Sequence, residues 1–266
     1  MHQAALALHF FTQTLKARMA YRYDFLMQCF SALAANATGL IVVSVIFQKT
    51  ETLGDWKKAE VIFIYGLAML SQALFGLVST TFWQFPNRYV MNGEMDRLLI
   101  RPVNPLLQLM MENLEFEELP SLILGLLLIG FSASSLGLAW SPAKVLILSL
   151  DAVSAALMLV GVFLALTTLS FWFEDRVAIT PPVFNLLAFG RYPLTIFHRS
   201  VQMLLSTVIP FGFLAFYPAT FFLTSNSRSA EFSLFAWMTP LVGVGSFAVG
   251  CAVWSIGVRA YRSTGS

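Results

Sequence analysis

The sequence is poor in charged residues, and this shortage already excludes most classes of protein. Charged residues make up 11% of the 266 positions and hydrophobic residues 58%, whereas soluble globular domains carry about 25% charged residues. A chain this apolar cannot cover itself with a hydrated surface, so we expect lipid to be its solvent. The net charge of +2 supplies no basic surface, so nucleic acid is not an expected partner.

Residues that carry chemistry are also scarce. The sequence has no Gly-x-x-x-x-Gly-Lys-Ser/Thr phosphate loop and no Gly-x-Ser-x-Gly nucleophile elbow. Its three histidines, His2, His9 and His198, are scattered and form no metal-ligand spacing. Cys29 and Cys251 both lie inside apolar runs, so a structural disulfide is not expected. The sequence therefore predicts no catalytic residue, no metal and no cofactor in this chain.

Long apolar runs take up most of the sequence. Each exceeds the roughly 20 residues that carry a helix across the hydrocarbon core. The amides of a lipid-exposed backbone must bond within the segment, so helices are expected. The period-two alternation of a membrane barrel is absent. We predict an all-α integral membrane protein, a single transmembrane domain over residues 1–266, with six spans at about 25–48, 61–85, 119–140, 145–173, 200–224 and 237–258.

The basic residues predict the orientation of these spans. With a cytoplasmic N-terminus, eleven basic residues fall inside and five outside, as the positive-inside rule requires. We therefore expect a multi-pass protein with both termini in the cytoplasm. The inside set is Lys16, Arg18, Arg22, Arg88, Arg97, Arg101, Arg176, Arg191, Arg199, Arg259 and Arg262, and the outside set is Lys49, Lys57, Lys58, Lys144 and Arg228.

Three segments outside the spans have patterns of their own. Residues 3–20 place Leu8, Phe11, Leu15 and Met19 at helical spacing, which predicts an amphipathic helix on the cytoplasmic surface. Residues 86–118 form the longest polar insertion, on the cytoplasmic side, and residues 174–199 form a second cytoplasmic segment. The far end of span five carries Pro210 and Pro218, which favour a bend or a re-entrant path there.

The insertion between spans two and three contains the most informative stretch. Its pattern predicts a short helix, a stop at Pro102, and a second helix that begins with Asn104 as N-cap and Pro105 at the first helical position. Met95, Leu98 and Leu99 would form one apolar face that docks into a groove on a soluble partner. The alternative is an interfacial helix that lies on lipid headgroups. The candidate coupling residues are Gly93, Glu94, Met95, Asp96, Arg97, Leu98, Leu99, Arg101 and Pro102.

This stretch resembles the segment after span two in permeases of the type-two ABC exporter superfamily, in particular the small bacterial six-span branch. The residues that match its Gly-x-x-Asp-x-x-Leu-x-x-Pro-x-Asn-Pro pattern are Gly93, Asp96, Leu99, Pro102, Asn104 and Pro105. The turn 191–193, the C-terminal residues 261–266 and the layout of the spans are also similar to that branch, so the resemblance covers nearly the whole chain.

The resemblance implies a half-transporter. Two permease chains, the same or related, would pair in the bilayer, and each would rest on a separate ABC ATPase subunit that holds ATP and Mg²⁺. The coupling helix, at about residues 89–102, would sit in a groove of that ATPase, and residues 216–237 would form the external gate. The branch implies export across a bacterial cytoplasmic (inner) membrane by alternating access.

Charged residues near the spans leave alternatives open. Asp151 lies about two turns inside span four, where a carboxylate is costly. We expect it to reach the external interface or to pair with Lys144, and we include it with Phe216 and Tyr217 as a possible translocation path. Glu112, Glu115, Glu117 and Glu118 before span three predict a solvated acidic face, or a contact with basic residues of an ATPase. The alternative function is a stand-alone ion-coupled carrier or channel, for which Asp151 is the only candidate mid-span charge.

Overall fold

The computed structural model describes residues 22–112, 114–173, 180–223 and 227–261. The surface helix expected at residues 3–20 and the C-terminal residues 262–266 lie outside the described residues. The α-helices are α1 (Arg22–Lys49), α2 (Lys58–Gly76), α3 (Ser79–Gln84), α4 (Met95–Leu99), α5 (Pro105–Glu112), α6 (Leu119–Ser135), α7 (Pro142–Thr168), α8 (Ser170–Phe173), α9 (Thr180–Leu186), α10 (Arg199–Met203), α11 (Phe216–Phe222) and α12 (Ser227–Ala260).

Shorter elements connect these helices. Thr52–Leu53 (β1) and Trp56–Lys57 (β2) pair as an antiparallel ribbon between α1 and α2, and Gly54 turns it at a φ of +62°. Two segments are π-helical, Phe85–Met91 and Leu204–Val208, and four are 3₁₀ turns, Phe116–Glu118, Phe189–Arg191, Leu194–Ile196 and Phe211–Leu214.

Within the described residues, five helical segments are long and apolar enough to cross a membrane: Arg22–Lys49, Lys58–Gly76, Phe116–Ser135, Pro142–Phe173 and Glu231–Ala260. They overlap the predicted spans one to four and six. An all-α membrane fold is therefore confirmed, while the count of six spans remains a prediction.

The helices pack around α2, which is buried on nearly every face between Val61 and Leu70. Helices α7 and α12 pack closely, because glycines let the two backbones approach. A Cβ added at Gly161 would lie 2.3 Å from the carbonyl oxygen of Ser246, and one at Gly250 would lie 2.5 Å from that of Gly161. In contrast, α1 lies at the outside of the bundle and buries only Cys29 and Val43.

The two ends of the bundle can be told apart by their connections. One end, the ribbon end, carries the β1–β2 ribbon and the connection between α6 and α7. The opposite end, the α4 end, carries α3, α4 and α5. The predicted orientation places the α4 end in the cytoplasm and the ribbon end outside.

The predicted span 200–224 is not one helix in the structure. The chain passes through α10, a π-helical turn, a 3₁₀ turn and α11, with extended backbone at Ile209 and an interruption at Pro210, whose ring nitrogen has no hydrogen to donate. The ring of Phe216 contacts that of Trp56 with centroids 5.6 Å apart, and Phe222 contacts Trp140 at 6.3 Å. These contacts place α11 at the ribbon end.

Residues 180–197 run from the α4 end towards the ribbon end. Phe184 contacts Trp83, next to the α4 end, with ring centroids 4.7 Å apart. Eleven positions later, Thr195 Oγ1 accepts a hydrogen bond of 2.8 Å from Trp56 Nε1 in the ribbon. The expectation of a cytoplasmic segment over 174–199 is therefore wrong for residues 194–196. Arg191 lies between the two ends of the bundle. It is therefore not one of the cytoplasmic loop charges to which the positive-inside rule applies.

Candidate coupling surface

The insertion between the second and third spans folds as its sequence pattern predicts. After the π-helical turn Phe85–Met91, Gly93 adopts a φ of +71°, a conformation that residues with a Cβ rarely take. The chain then forms α4 and, after a bend, α5. Asn104 caps α5, because its Oδ1 accepts from the backbone amides of Leu106 at 2.9 Å and Leu107 at 3.3 Å. The predicted order of helix, stop and N-capped second helix is confirmed.

The apolar face of α4 points in a different direction from the one expected. Met95 is 0% exposed and Leu98 3%, so both pack inside this chain and cannot dock on a partner in this conformation. The exposed apolar residues are Leu99 at 39% and Ile100 at 83%. The exposed charged and turn residues beside them are Arg97, Arg101 and Pro102. We call Arg97, Leu99, Ile100, Arg101 and Pro102 the coupling surface.

Arg88 joins three elements behind this surface. Its Nε donates to Glu94 Oε2 at 2.7 Å, and its Nη2 lies 3.6 Å from Glu112 Oε1. Partial burial by itself would lower the pKa of Arg88, but the hydrogen bond with Glu94 and the charges of both carboxylates raise it above the usual value. Arg88 therefore remains a cation that holds the start of α4 and the end of α5 against the π-helical turn.

Aromatic contacts connect Arg88 to the membrane helices. The guanidinium of Arg88 lies over the ring of Tyr89, 5.1 Å from its centroid. Tyr89 stacks on Phe85 at 5.7 Å, and Phe85 contacts Phe171 in α8 at 5.4 Å and Trp254 in α12 at 5.3 Å. A continuous chain of packed side chains therefore connects Arg88, which holds α4, to two spans.

Asp96 forms a second connection, to the end of α12. Burial raises the pKa of the Tyr261 hydroxyl, and the nearby carboxylate of Asp96 raises it further. The Tyr261 hydroxyl lies within electrostatic reach of Asp96, although its oxygen has no hydrogen-bond partner among the described residues. The sequence reasoning singled out both residues but gave no signal that they meet, because 165 positions separate them.

The four glutamates before α6 do not form a solvated face, contrary to expectation. Glu117 is 5% exposed. Glu115 accepts a hydrogen bond from Thr80 and another, at 3.5 Å, from Ser79, while Glu112 faces Arg88. The sequence pattern was misleading because glutamates held by contacts within the chain and glutamates that face water have the same spacing along the sequence.

The residues proposed for a translocation path lie at the ribbon end. Asp151 is 4% exposed and lines a cavity of about 30 Å³ with Phe221, Trp237 and Pro240. Its expected pairing with Lys144 is not formed, because Lys144 Nζ donates to the carbonyl oxygen of Ala139 at 2.9 Å. Phe216 and Tyr217 do not line that cavity.

Phe216 and Tyr217 instead join an aromatic cluster on the inner side of α11. Phe216 is 1% and Tyr217 6% exposed. Phe216 contacts Phe232 with ring centroids 5.3 Å apart, and Tyr217 stacks on Phe235 at 5.1 Å. The Tyr217 hydroxyl and Ser206 Oγ share a hydrogen bond of 2.7 Å. These contacts pack α11 against the first part of α12 and against Ser206.

A family model described as "ABC-2 family transporter protein" matches residues 33–265, which is most of the chain. No curated protein matches this chain.

Proposed function

The chain belongs to the ABC-2 transporter family, and we propose that it is the permease of an exporter whose ATP is hydrolysed on separate ABC ATPase subunits. Membership makes it a membrane component of an ABC transporter. Export, alternating access and the partner subunits are the parts that we propose. The observation that carries the proposal is the coupling surface, an exposed apolar tip between two arginines on a helix fixed to the spans.

The exposed part of the coupling surface suits a groove on a soluble protein. Ile100 is 83% exposed although it is large and apolar, and such a side chain gains free energy when a partner buries it. Arg97 and Arg101 flank it and can pair with acidic residues at the rim of a groove. Gly93, Glu94, Met95, Asp96 and Leu98 support the surface from behind.

The mechanism follows from the connections behind this surface. Closure of the ATPase subunits around ATP and Mg²⁺ would move α4, and the links through Arg88, Phe85 and Tyr261 would transmit the motion to α8 and α12. The aromatic cluster around Phe216 and Tyr217 would open as the external gate, with Asp151 beside it. Transport also requires that the cargo binds the inward- and outward-facing states with different affinity.

The assembly that we propose has two permease chains, the same or related, in a bacterial cytoplasmic membrane with both termini in the cytoplasm. The outer face of α1 is the most exposed apolar surface among the described spans. It is covered by lipid or by the second permease.

The test is purification of the tagged chain from its native host in mild detergent, with identification of the proteins that co-elute. The proposal predicts a stoichiometric ATPase with a phosphate loop. Elution of the chain alone, repeated in native-like lipid, would contradict it and favour a stand-alone ion-coupled carrier or channel, for which the buried Asp151 is the supporting observation.

A further inference from the structure

A cavity of about 330 Å³, half open to the surroundings, lies between the helices, apart from the coupling surface and from the aromatic cluster. It is bordered by α1, α2, the start of α6 and residues 184–191. Along α2 its lining extends from Met69 to Gly76, about 10 Å at 1.5 Å per residue, and it lies towards the α4 end. Its volume falls within the usual range of small-molecule sites, about 300–1,000 Å³.

The guanidinium of Arg191 lies on one wall of this cavity and has N–H groups that are available to a ligand. Arg191 Nε donates to Gln72 Oε1 at 2.9 Å, and the guanidinium lies 5.9 Å from the centroid of the Tyr65 ring. Within the described part of the chain, Gln72 is its only hydrogen-bond acceptor. The terminal nitrogens of Arg191 can therefore form the planar, two-pronged contact that carboxylates and phosphates accept.

Another wall carries a carboxylate. Glu118 lines the cavity and shares a hydrogen bond with Ser121, whose Oγ also accepts from Asn36 Nδ2 at 3.0 Å. Gly76 makes room for this side chain, because a Cβ at position 76 would lie 2.6 Å from Glu118 Cγ. Arg191 and Glu118 interact electrostatically across the cavity, but they do not form an ion pair within the described structure.

We propose that this cavity binds the head of a zwitterionic amphiphile, with its carboxylate or phosphate on Arg191 and its ammonium on Glu118. A partly buried cavity with one cation and one anion held apart favours a ligand that carries both charges. A simple anion would face Glu118, and a simple cation would face Arg191. Met69, Phe75 and Leu187 line the same cavity and contact the first carbons of the apolar tail.

We identify this ligand as the cargo, and that identification rests on the proposed export function. The existence of the binding site does not depend on it. A headgroup of a membrane lipid and a free amphiphile present the same chemistry. The position of the cavity towards the α4 end suits uptake from the inner leaflet or from the cytoplasm.

The test is equilibrium binding to the full chain in phosphatidylcholine nanodiscs, with three probes that share an eight-carbon tail: N-octylglycine, nonanoate and octylamine. We expect N-octylglycine to bind the native chain at least about tenfold more tightly than the other two, because each charged hydrogen bond contributes that factor or more. Arg191→Gln and Glu118→Gln should each remove this preference. The controls Arg199→Gln and Glu51→Gln alter exposed charges outside the cavity and should retain it.

Asn185→Trp supplies a variant that keeps both charges. Asn185 lines the cavity and is exposed, so the chain should fold normally with the cavity narrowed. We expect it to weaken N-octylglycine binding about tenfold or more, as loss of a charged contact would. Equal affinity for the three probes, or native affinity in Arg191→Gln, Glu118→Gln and Asn185→Trp, would overturn the proposal.

A second set of nanodiscs identifies the source of the ligand. Phosphatidylethanolamine has a primary ammonium that can donate to Glu118, which the quaternary ammonium of phosphatidylcholine cannot. Weaker N-octylglycine binding by the native chain in these discs assigns the site to a lipid headgroup, and unchanged binding assigns it to a free amphiphile. Co-elution of an ATPase together with native probe binding in the cavity variants would overturn this inference and leave the proposed function standing.

Discussion

Arg88 Nε and Glu94 Oε2 lie 2.7 Å apart, and this ion pair holds the first turn of α4 against the π-helical turn that ends the second span. Both side chains are about one-third exposed, at 35% and 34%, so the pair contributes little to the free energy of unfolding, about 0–1 kcal/mol. Its effect is on the position of α4. Coupling requires that α4 keeps a fixed position relative to the spans while the partner subunit moves.

Glu94→Gln should therefore separate stability from coupling. We expect a shift in the free energy of unfolding of less than about 1 kcal/mol, together with a several-fold loss of ATP-dependent transport in proteoliposomes that contain the partner ATPase. Glu51→Gln, an exposed carboxylate at the ribbon end, is the matched control. Unchanged transport by Glu94→Gln would show that this ion pair does not position α4.

Asp96→Lys reverses the charge that faces Tyr261. We expect normal membrane insertion but uncoupled ATP hydrolysis, because the negative charge beside Tyr261 at the end of α12 becomes positive. Tyr261→Phe removes the same contact without a change of charge and should give a smaller loss of transport. The measurement is the ratio of cargo moved to ATP hydrolysed, and a native ratio in both variants would contradict the proposed role of this contact.

Gly250→Ala should separate α7 from α12. The new methyl group would lie 2.5 Å from the carbonyl oxygen of Gly161, a backbone atom that cannot rotate away. We expect a loss of about 1–3 kcal/mol in the free energy of unfolding, the usual cost of overpacking. Gly245→Ala in the same helix meets nothing within 4 Å, and thermal unfolding should show it to be as stable as the native protein or more so. A similar result for the two variants would disprove this tight packing.

Trp56→Phe tests the position of residues 194–196. Trp56 is 0% exposed, and its Nε1 donates to Thr195 Oγ1. Its loss leaves the half-buried Thr195 hydroxyl without this donor, at a cost of about 1 kcal/mol. Trp140→Phe, at a tryptophan that is 42% exposed, should cost less than about 1 kcal/mol, as substitutions away from buried contacts usually do. Equal unfolding midpoints would indicate that residues 194–196 do not pack on the ribbon.

The sequence predicted features that depend on local physics. Continuous apolar runs specify helices in lipid, and the Asn104–Pro105 cap and the Gly93 turn depend on neighbouring residues alone. The family resemblance, based on Gly93 to Pro105, agrees with the family that matches the chain.

Features that depend on distant contacts could not be predicted in this way. Met95 and Leu98 have the pattern of a docking face, but the same pattern describes a face that packs on its own chain. Residues 200–224 have enough apolar residues for a span, yet the interruption at Pro210 and the contact of Phe216 with Trp56 place α11 at the ribbon end. Arg191 resembled a loop charge because Gln72, its partner, lies 119 positions away.

The most direct test of the coupling surface is co-purification of the ATPase with Ile100→Asp. Ile100 is 83% exposed, so an aspartate there should leave the fold intact and reduce the ATPase recovered by about tenfold or more, as loss of a central apolar anchor does. Thr50→Asp, at an exposed position of the ribbon end, should recover the native amount, and Met95→Asp should destabilise the chain itself. Native recovery of the ATPase with a correctly folded Ile100→Asp chain would contradict the account.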